Sequence, residues 1–194
     1  MSLIEFILII TSVVYALAIA QILSGISRLV QTEESIRWFF PHIVWIVILF
    51  ISAPLTWWAG WEFRAVEWTF LKYLYTFSTP TFLFFSATLV VPQSTEGHEL
   101  DLEKYFFNVR RPMLWSFFIA MLTQMYGGTV LAGEEIWSVY RIDDVAVLLG
   151  ILAGALTTNK RLHAALSIWI MTYFVIVIGT QLWVPPESLS VLRN

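Results

Sequence analysis

Hydrophobic residues along this chain gather into six long runs that contain no Asp, Glu, Lys or Arg. The runs cover residues 6–27, 41–61, 73–95, 112–133, 145–159 and 162–186. All but 145–159 reach the roughly 20 residues that a helix needs to cross a hydrocarbon core of about 30 Å. Backbone polar groups in lipid must be paired internally, and apolar–polar alternation is absent from the runs. The pattern therefore predicts membrane-spanning helices and not a closed barrel.

We predict an all-α fold, a polytopic transmembrane helix bundle with six spans in a single integral membrane domain over residues 1–194. The spans are expected at about 4–28, 41–62, 68–91, 112–132, 142–159 and 162–184. If 142–159 does not cross, five spans and a re-entrant or short helix are the alternative. The first run lacks a basic leading segment and a clear cleavage signal, so it is predicted to be a span and not a signal peptide.

The longest connection, residues 92–111, is too short to bury a core of its own. Its second half places Leu102, Tyr105, Phe106 and Val109 at i, i+3, i+4 and i+7, which is one apolar helical face. This spacing predicts an interfacial amphipathic helix over about 101–111, lying on the membrane surface. Pro112 would then begin the next span.

The composition is typical of a membrane protein and excludes several kinds of catalytic and metal-binding site. Of 194 residues, 58% are hydrophobic and only 13% are charged. The chain has no cysteine, which excludes disulfides, thiolate catalysis and Cys-ligated metal clusters. A net charge of −3 is too small to indicate a nucleic-acid partner. No metalloprotease, nucleotide-binding or serine-hydrolase motif is present, so we expect no catalytic residues, no metal site and no enzyme.

Lysine and arginine residues predict the orientation. One set of connections would carry Arg28, Arg37, Lys104, Arg110, Arg111, Lys160 and Arg161, and the other set Arg64, Lys72, Arg141 and Arg193. Because cytoplasmic loops are enriched in positive charge, the first set is expected in the cytoplasm of a bacterial inner membrane. Both termini would then be periplasmic.

Four tryptophans, Trp57, Trp58, Trp61 and Trp68, surround the predicted outer turn between the second and third spans. Indole rings favour the membrane–water interface, and Trp137 and Trp183 fall at the same predicted level, with Trp38 and Trp115 near the other face. An aromatic belt that contacts lipid is therefore predicted. An aromatic pocket for a cationic ligand is the alternative, because aromatic faces attract cations.

Polar residues within the spans are the candidate binding residues, because polar groups at membrane depth usually face protein or water. They are Gln21, Arg28, Gln124, Tyr126 and Lys72. The alternative is that these side chains bond between helices. Lys72 is expected either to extend outward to the interface or to pair with an outer carboxylate and guard an entrance. The outer face would be acidic and attract cations, through Glu5, Glu62, Glu67, Glu134, Glu135, Asp143, Asp144 and Glu187.

A second candidate site lies at the predicted inner interface, where His42 begins the second span and His163 the sixth. Two imidazoles at similar depth could hold a metal or haem, although two histidines alone are weak support. Arg28, Arg110, Arg111 and Arg161 nearby equally suit an anionic lipid headgroup or solute. The remaining alternative is a basic inner rim with two interfacial histidines.

Two functions are consistent with these features. One is a small transporter or channel for a solute or ion, favoured by Pro54 and Pro80 within predicted spans and by polar groups at depth. The other is a non-catalytic subunit or scaffold of a larger membrane complex that contacts lipid or pigment. The partners expected are the bilayer and either further copies of the chain or other membrane subunits. The sequence does not identify a cofactor.

Overall fold

The computed structural model describes residues 3–33, 35–93, 99–136 and 141–181. Within them the all-α class is confirmed. The elements are α1 (Leu3–Gln31), β1 (Ser35–Arg37), α2 (Phe40–Ala59), α3 (Phe70–Val90), β2 (Glu99–Asp101), α4 (Leu102–Met125), α5 (Ile142–Leu156) and α6 (Lys160–Gln181). A 3-10 helix, Gly60–Ala65, follows α2, and a π-helix, Gly128–Ala132, follows α4.

The connections meet at two ends of the bundle. Strands β1 and β2 pair in parallel, so that the first and third connections lie together, and Lys160 at the start of α6 forms an ion pair with Glu103 at the start of α4. We call this the ribbon end. At the opposite end, called the far end, the Lys72 ammonium donates to the Leu131 carbonyl at 2.8 Å. The two sets of connections thus separate as predicted, whereas which end faces the cytoplasm stays a prediction.

The six helices form a closed ring of neighbours. Around the ring the order is α1, α3, α4, α5, α6 and α2, and α2 also contacts α3 and α4. Trp45, Phe117 and Leu83 are fully buried where these helices meet. By contrast, α1 exposes a row of aliphatic side chains, Ile9, Val13, Leu17, Leu23 and Ile26. An apolar outer surface over a packed interior is the arrangement that a lipid environment requires.

Four helical segments within the described residues are long and apolar enough to cross a membrane, which supports membrane localisation. They are Leu3–Gln31, Phe40–Ala65, Leu102–Ala132 and Lys160–Thr180. Helix α5 has only 15 residues, about 22 Å at 1.5 Å per residue. Helix α3 carries Lys72 and several hydroxyl side chains, which make it less apolar. The six helices are therefore observed, and six spans stay a prediction.

The prediction of a separate helix over 101–111 is wrong. Helix α4 begins at Leu102 and runs without interruption past Pro112 to Met125. Leu102, Phe106 and Met113 are all fully buried on one side of it, so core packing holds the segments before and after the proline on one line. Asp101 caps the helix by accepting a hydrogen bond from the Lys104 N–H at 2.9 Å. This bond, together with the nearby Arg37, lowers the pKa of the Asp101 carboxyl.

Glycines of α5 serve packing within the bundle. A side chain at Gly150 would collide with Trp169 of α6, and one at Gly154 would press on Leu114 of α4. The G-x-x-x-G pattern at 150–154 therefore lets α5 approach two neighbouring helices of the same chain closely.

Candidate ligand-binding cavity

A cavity of about 620 Å³ lies at the far end, between the ends of α2, α4, α5 and α6 and both of the short helices. Its volume is within the range of about 300–1,000 Å³ that is typical of small-molecule sites. Exposed Glu62, Glu134 and Glu135 stand on its lining, so it opens at the far end. Phe63, Tyr173, Phe174 and the methionines 121 and 125 supply apolar surface.

The wall at the end of α4 depends on Gly127 and Gly128, the glycine pair in the segment MYGGTV at residues 125–130. A side chain at Gly127 would press on Phe63, and one at Gly128 would occupy the position of the Glu134 carboxylate. Gly133 then ends the π-helix in a left-handed conformation, with φ of 73°, which glycine adopts without strain. These glycines let the chain turn back so that Glu134 lies beside its own helix.

Arg141 is the one cationic side chain on the described lining, and it is already engaged. Its Nη1 donates to the Met125 carbonyl at 3.0 Å, and its Nη2 lies 3.5 Å from Glu134 Oε2. The guanidinium also stands 5.8 Å from the centre of the Tyr126 ring. Arg141 thus connects the start of α5 to the end of α4, and its guanidinium packs against the Tyr126 ring.

Asp144 projects into the cavity from the first turn of α5, where the helix dipole favours a carboxylate. The Tyr173 hydroxyl of α6 donates to Asp144 Oδ1 at 2.8 Å, which fixes the orientation of the half-buried carboxylate. Among the described residues no hydrogen bond reaches its second oxygen, Oδ2, which can therefore accept one from a ligand. Tyr173 thus holds the Asp144 carboxylate in a fixed orientation on the cavity wall.

A smaller chamber of about 40 Å³ adjoins the cavity. Thr56, Phe63 and Gln124 line both spaces and lie between them. The chamber is otherwise mostly apolar, with Trp57 and Trp68 in its wall. The indole Nε1 of Trp68 is buried and has no hydrogen-bond partner among the described residues.

Of the predicted binding residues, Gln124 lines both spaces, whereas Tyr126 and Gln21 lie on neither lining. Tyr126 contacts the region only through Arg141. Lys72 bonds the Leu131 carbonyl and so attaches α3 to the π-helix. Of the four predicted belt tryptophans, Trp57, Trp58 and Trp61 are exposed at the far end, and Trp68 is half-buried. Trp137, Trp183, Glu187 and Arg193 lie outside the described residues.

The predicted histidine pair is found at similar depth at the ribbon end, with both rings fully buried. The ring of Phe106 contacts both, with centroids 5.7 Å from His42 and 5.0 Å from His163. The His42 Nε2 bonds the Val90 carbonyl at 2.5 Å, and the His163 Nε2 the Thr157 carbonyl at 3.2 Å. No cluster of three metal-ligating side chains exists in the described part of the chain. The Nε2 atom of each ring thus links helices, while the Nδ1 atom of each is buried with no hydrogen-bond partner among the described residues. Ligand binding by this pair stays a prediction.

The basic residues predicted beside them divide into two kinds. Arg110 is buried and donates to the Thr157 and Phe107 carbonyls, at 2.9 Å and 2.5 Å, and half-buried Arg28 donates to the Pro92 carbonyl at 3.3 Å. The bond to Thr157 joins α4 to the end of α5, and the bond to Pro92 joins α1 to the connection after α3. Arg111 and Arg161 are exposed, so contact with anionic lipid stays a prediction for those two alone.

Sequence reasoning counted Asp144 and Glu62 only as part of an acidic outer face, and it did not bring Asp144 together with Tyr173. The two residues are 29 positions apart and on different helices. The acidic bias of the outer connections and the polarity of Gln124 within a predicted span were the sequence signals for this region.

Comparisons with protein-family models, with curated proteins and with solved structures find no match for this chain, so no relative assigns it to a family.

Proposed function

We propose that this protein is a membrane transporter that binds a small cation in the far-end cavity. The observation that carries the proposal is the charge of the lining: four carboxylates, Glu62, Glu134, Glu135 and Asp144, stand against one guanidinium, Arg141. Arg141 already pairs with Glu134, and among the described residues the other three carboxylates form no ion pair. A concave acidic site concentrates cations and focuses their field.

The packing beneath the cavity supports transport by alternating access. Toward the ribbon end, Trp45, Phe117 and Ile151 are fully buried and fill the centre of the bundle. A solute that enters from the far end therefore meets a closed layer, as in transporters whose site is open to one side at a time. Pro54 of α2 and Pro80 of α3 interrupt helical hydrogen bonding and provide points where the helices can bend.

Replacement of Asp144 tests the site. We expect Asp144→Asn to weaken binding of radiolabelled tetramethylammonium to the purified protein by about tenfold or more, since a partly buried charge contact exceeds the 1.4 kcal/mol of one decade. Asp143→Asn is the matched control, because Asp143 is an exposed neighbour that does not line the cavity. Equal affinity of the Asp144→Asn variant and the wild type would contradict the proposed site.

We also infer that all six helices cross a bacterial inner membrane with the ribbon end in the cytoplasm. Arg28, Arg37, Lys104, Arg110, Arg111, Lys160 and Arg161 all lie toward that end, which supports this orientation through the positive-inside rule. Because the chain has no native cysteine, single cysteines report topology directly. In intact cells, Gln93→Cys should be protected from an impermeant thiol reagent and Ala65→Cys should be labelled; the reverse pattern would invert the orientation.

A further inference from the structure

The uncharged part of the far-end cavity wall bears on the chemical class of the cation, and this inference rests on the proposed function. Apolar side chains line the cavity from α2, the 3-10 helix, α4, α5 and α6: Leu55, Ala59, Phe63, Met121, Met125, Val147, Leu148, Phe174 and Val177. Such surface gains free energy when it contacts hydrocarbon groups of a ligand, and gains none from a hydrated ion. The wall therefore favours a cation that carries hydrocarbon.

The carboxylates of the cavity are not arranged to hold an inorganic cation. Hard metal cations bind where several oxygen ligands converge, and no group of three His, Asp or Glu side chains does so in the part of the chain that the structure describes. The glutamates of the lining are exposed, whereas Asp144 is half-buried. A single carboxylate among apolar side chains suits a cation that is weakly hydrated, because such a cation loses little on leaving water.

Aromatic and thioether side chains complete the wall around Asp144. The ring of Tyr173, whose hydroxyl binds Asp144, meets the ring of Phe174 edge to face with centroids 5.8 Å apart. Aromatic rings attract organic cations, and more strongly where water is excluded. Met121 and Met125 lie one turn apart on α4 and both line the cavity. Their flexible, unbranched side chains can adapt to ligands of different shape.

We propose that the ligand is a lipophilic organic cation, with its charge beside Asp144 and its hydrocarbon groups against the methionines of α4 and the rest of the apolar wall. A cavity of about 620 Å³ has room for substituents much larger than methyl groups. Tetramethylammonium supplies the charge contact but leaves much of this wall in contact with water. Larger substituents displace that water, so affinity increases with hydrocarbon content.

Tetramethyl-, tetraethyl- and tetrapropylammonium separate the contribution of hydrocarbon from that of charge, because they differ only in methylene groups. Displacement of radiolabelled tetramethylammonium from the purified wild-type protein measures all three at the same site. One fully buried methylene raises affinity about fourfold, and each step of the series adds a methylene to every arm of the cation. We therefore expect affinity to rise about tenfold or more per step, even when only some of the arms contact the wall.

Variants of Met125 test whether the cavity wall is the source of this preference. Met125→Gln keeps the length of the side chain but makes it polar, and should reduce the preference for tetrapropyl- over tetramethylammonium by about threefold or more. Met125→Leu keeps the side chain apolar and should retain the preference. Met171→Gln is the matched control, because Met171 of α6 does not line the cavity, and it should retain the preference as well.

The outcomes separate this inference from the proposed function. If tetramethylammonium does not bind, or binds Asp144→Asn as well as the wild type, the cation site itself is wrong. If it binds and depends on Asp144 but affinity stays equal or falls along the series, the site is retained and the lipophilic class is wrong. A rise along the series that Met125→Gln leaves unchanged would overturn the assignment of the hydrocarbon groups to this wall.

Discussion

At the residue scale, glycines set how closely the elements approach, and Gly25 is the tightest case at the ribbon end. A side chain built on Gly25 of α1 would overlap the Val91 side chain, which is itself fully buried at the end of α3. Both residues lie next to the Arg28–Pro92 hydrogen bond, so the contact closes the bundle at this end. Gly179 of α6, by contrast, faces open space.

We therefore predict that Gly25→Ala lowers stability by about 1–3 kcal/mol, the usual effect of inserting a methyl group into a packed site. Gly179→Ala should leave stability unchanged or raise it, because alanine favours a helix by about 1 kcal/mol over glycine. Thermal unfolding in detergent measures both. Adding Val91→Ala to Gly25→Ala should restore part of the loss; without such recovery, the overlap is not the cause.

At the element scale, the sequence predicted the helices well and the breaks between them poorly. The uncharged runs located all six helices, because exclusion of charge from apolar surroundings is a local property of the chain. The predicted helix break before Pro112 was wrong, because proline is a local signal. The continuity of α4 depends instead on Leu102 and Phe106 packing against other helices.

The candidate site was predictable only in outline, for the same reason. The acidic bias of the far-end connections is visible in the sequence, and Gln124 was identified from its polarity within a span. The hydrogen bond between Tyr173 and Asp144 joins two helices, and no spacing rule relates residues 29 positions apart. For the histidines, the sequence predicted that both lie at a similar depth. It did not predict that the Phe106 ring contacts both of them.

At the scale of the whole molecule, the bundle is asymmetric along its axis. The ribbon end is closed by a parallel strand pair, by the buried Arg110 that caps the end of α5, and by the rings around Phe106. The far end holds an acidic cavity of about 620 Å³. A closed basic end and an open acidic end fit the proposed transporter, which would take up a cation from one side and then open to the other.

The most direct test of cation transport is uptake of radiolabelled tetramethylammonium by proteoliposomes, driven by an inside-negative potassium diffusion potential. If Asp144 binds the transported cation, uptake should be saturable, above that of protein-free liposomes, strongly reduced by Asp144→Asn and retained by Asp143→Asn. Uptake at the protein-free level by a wild-type protein that binds the cation would contradict transport and favour a ligand-binding subunit of a larger membrane complex.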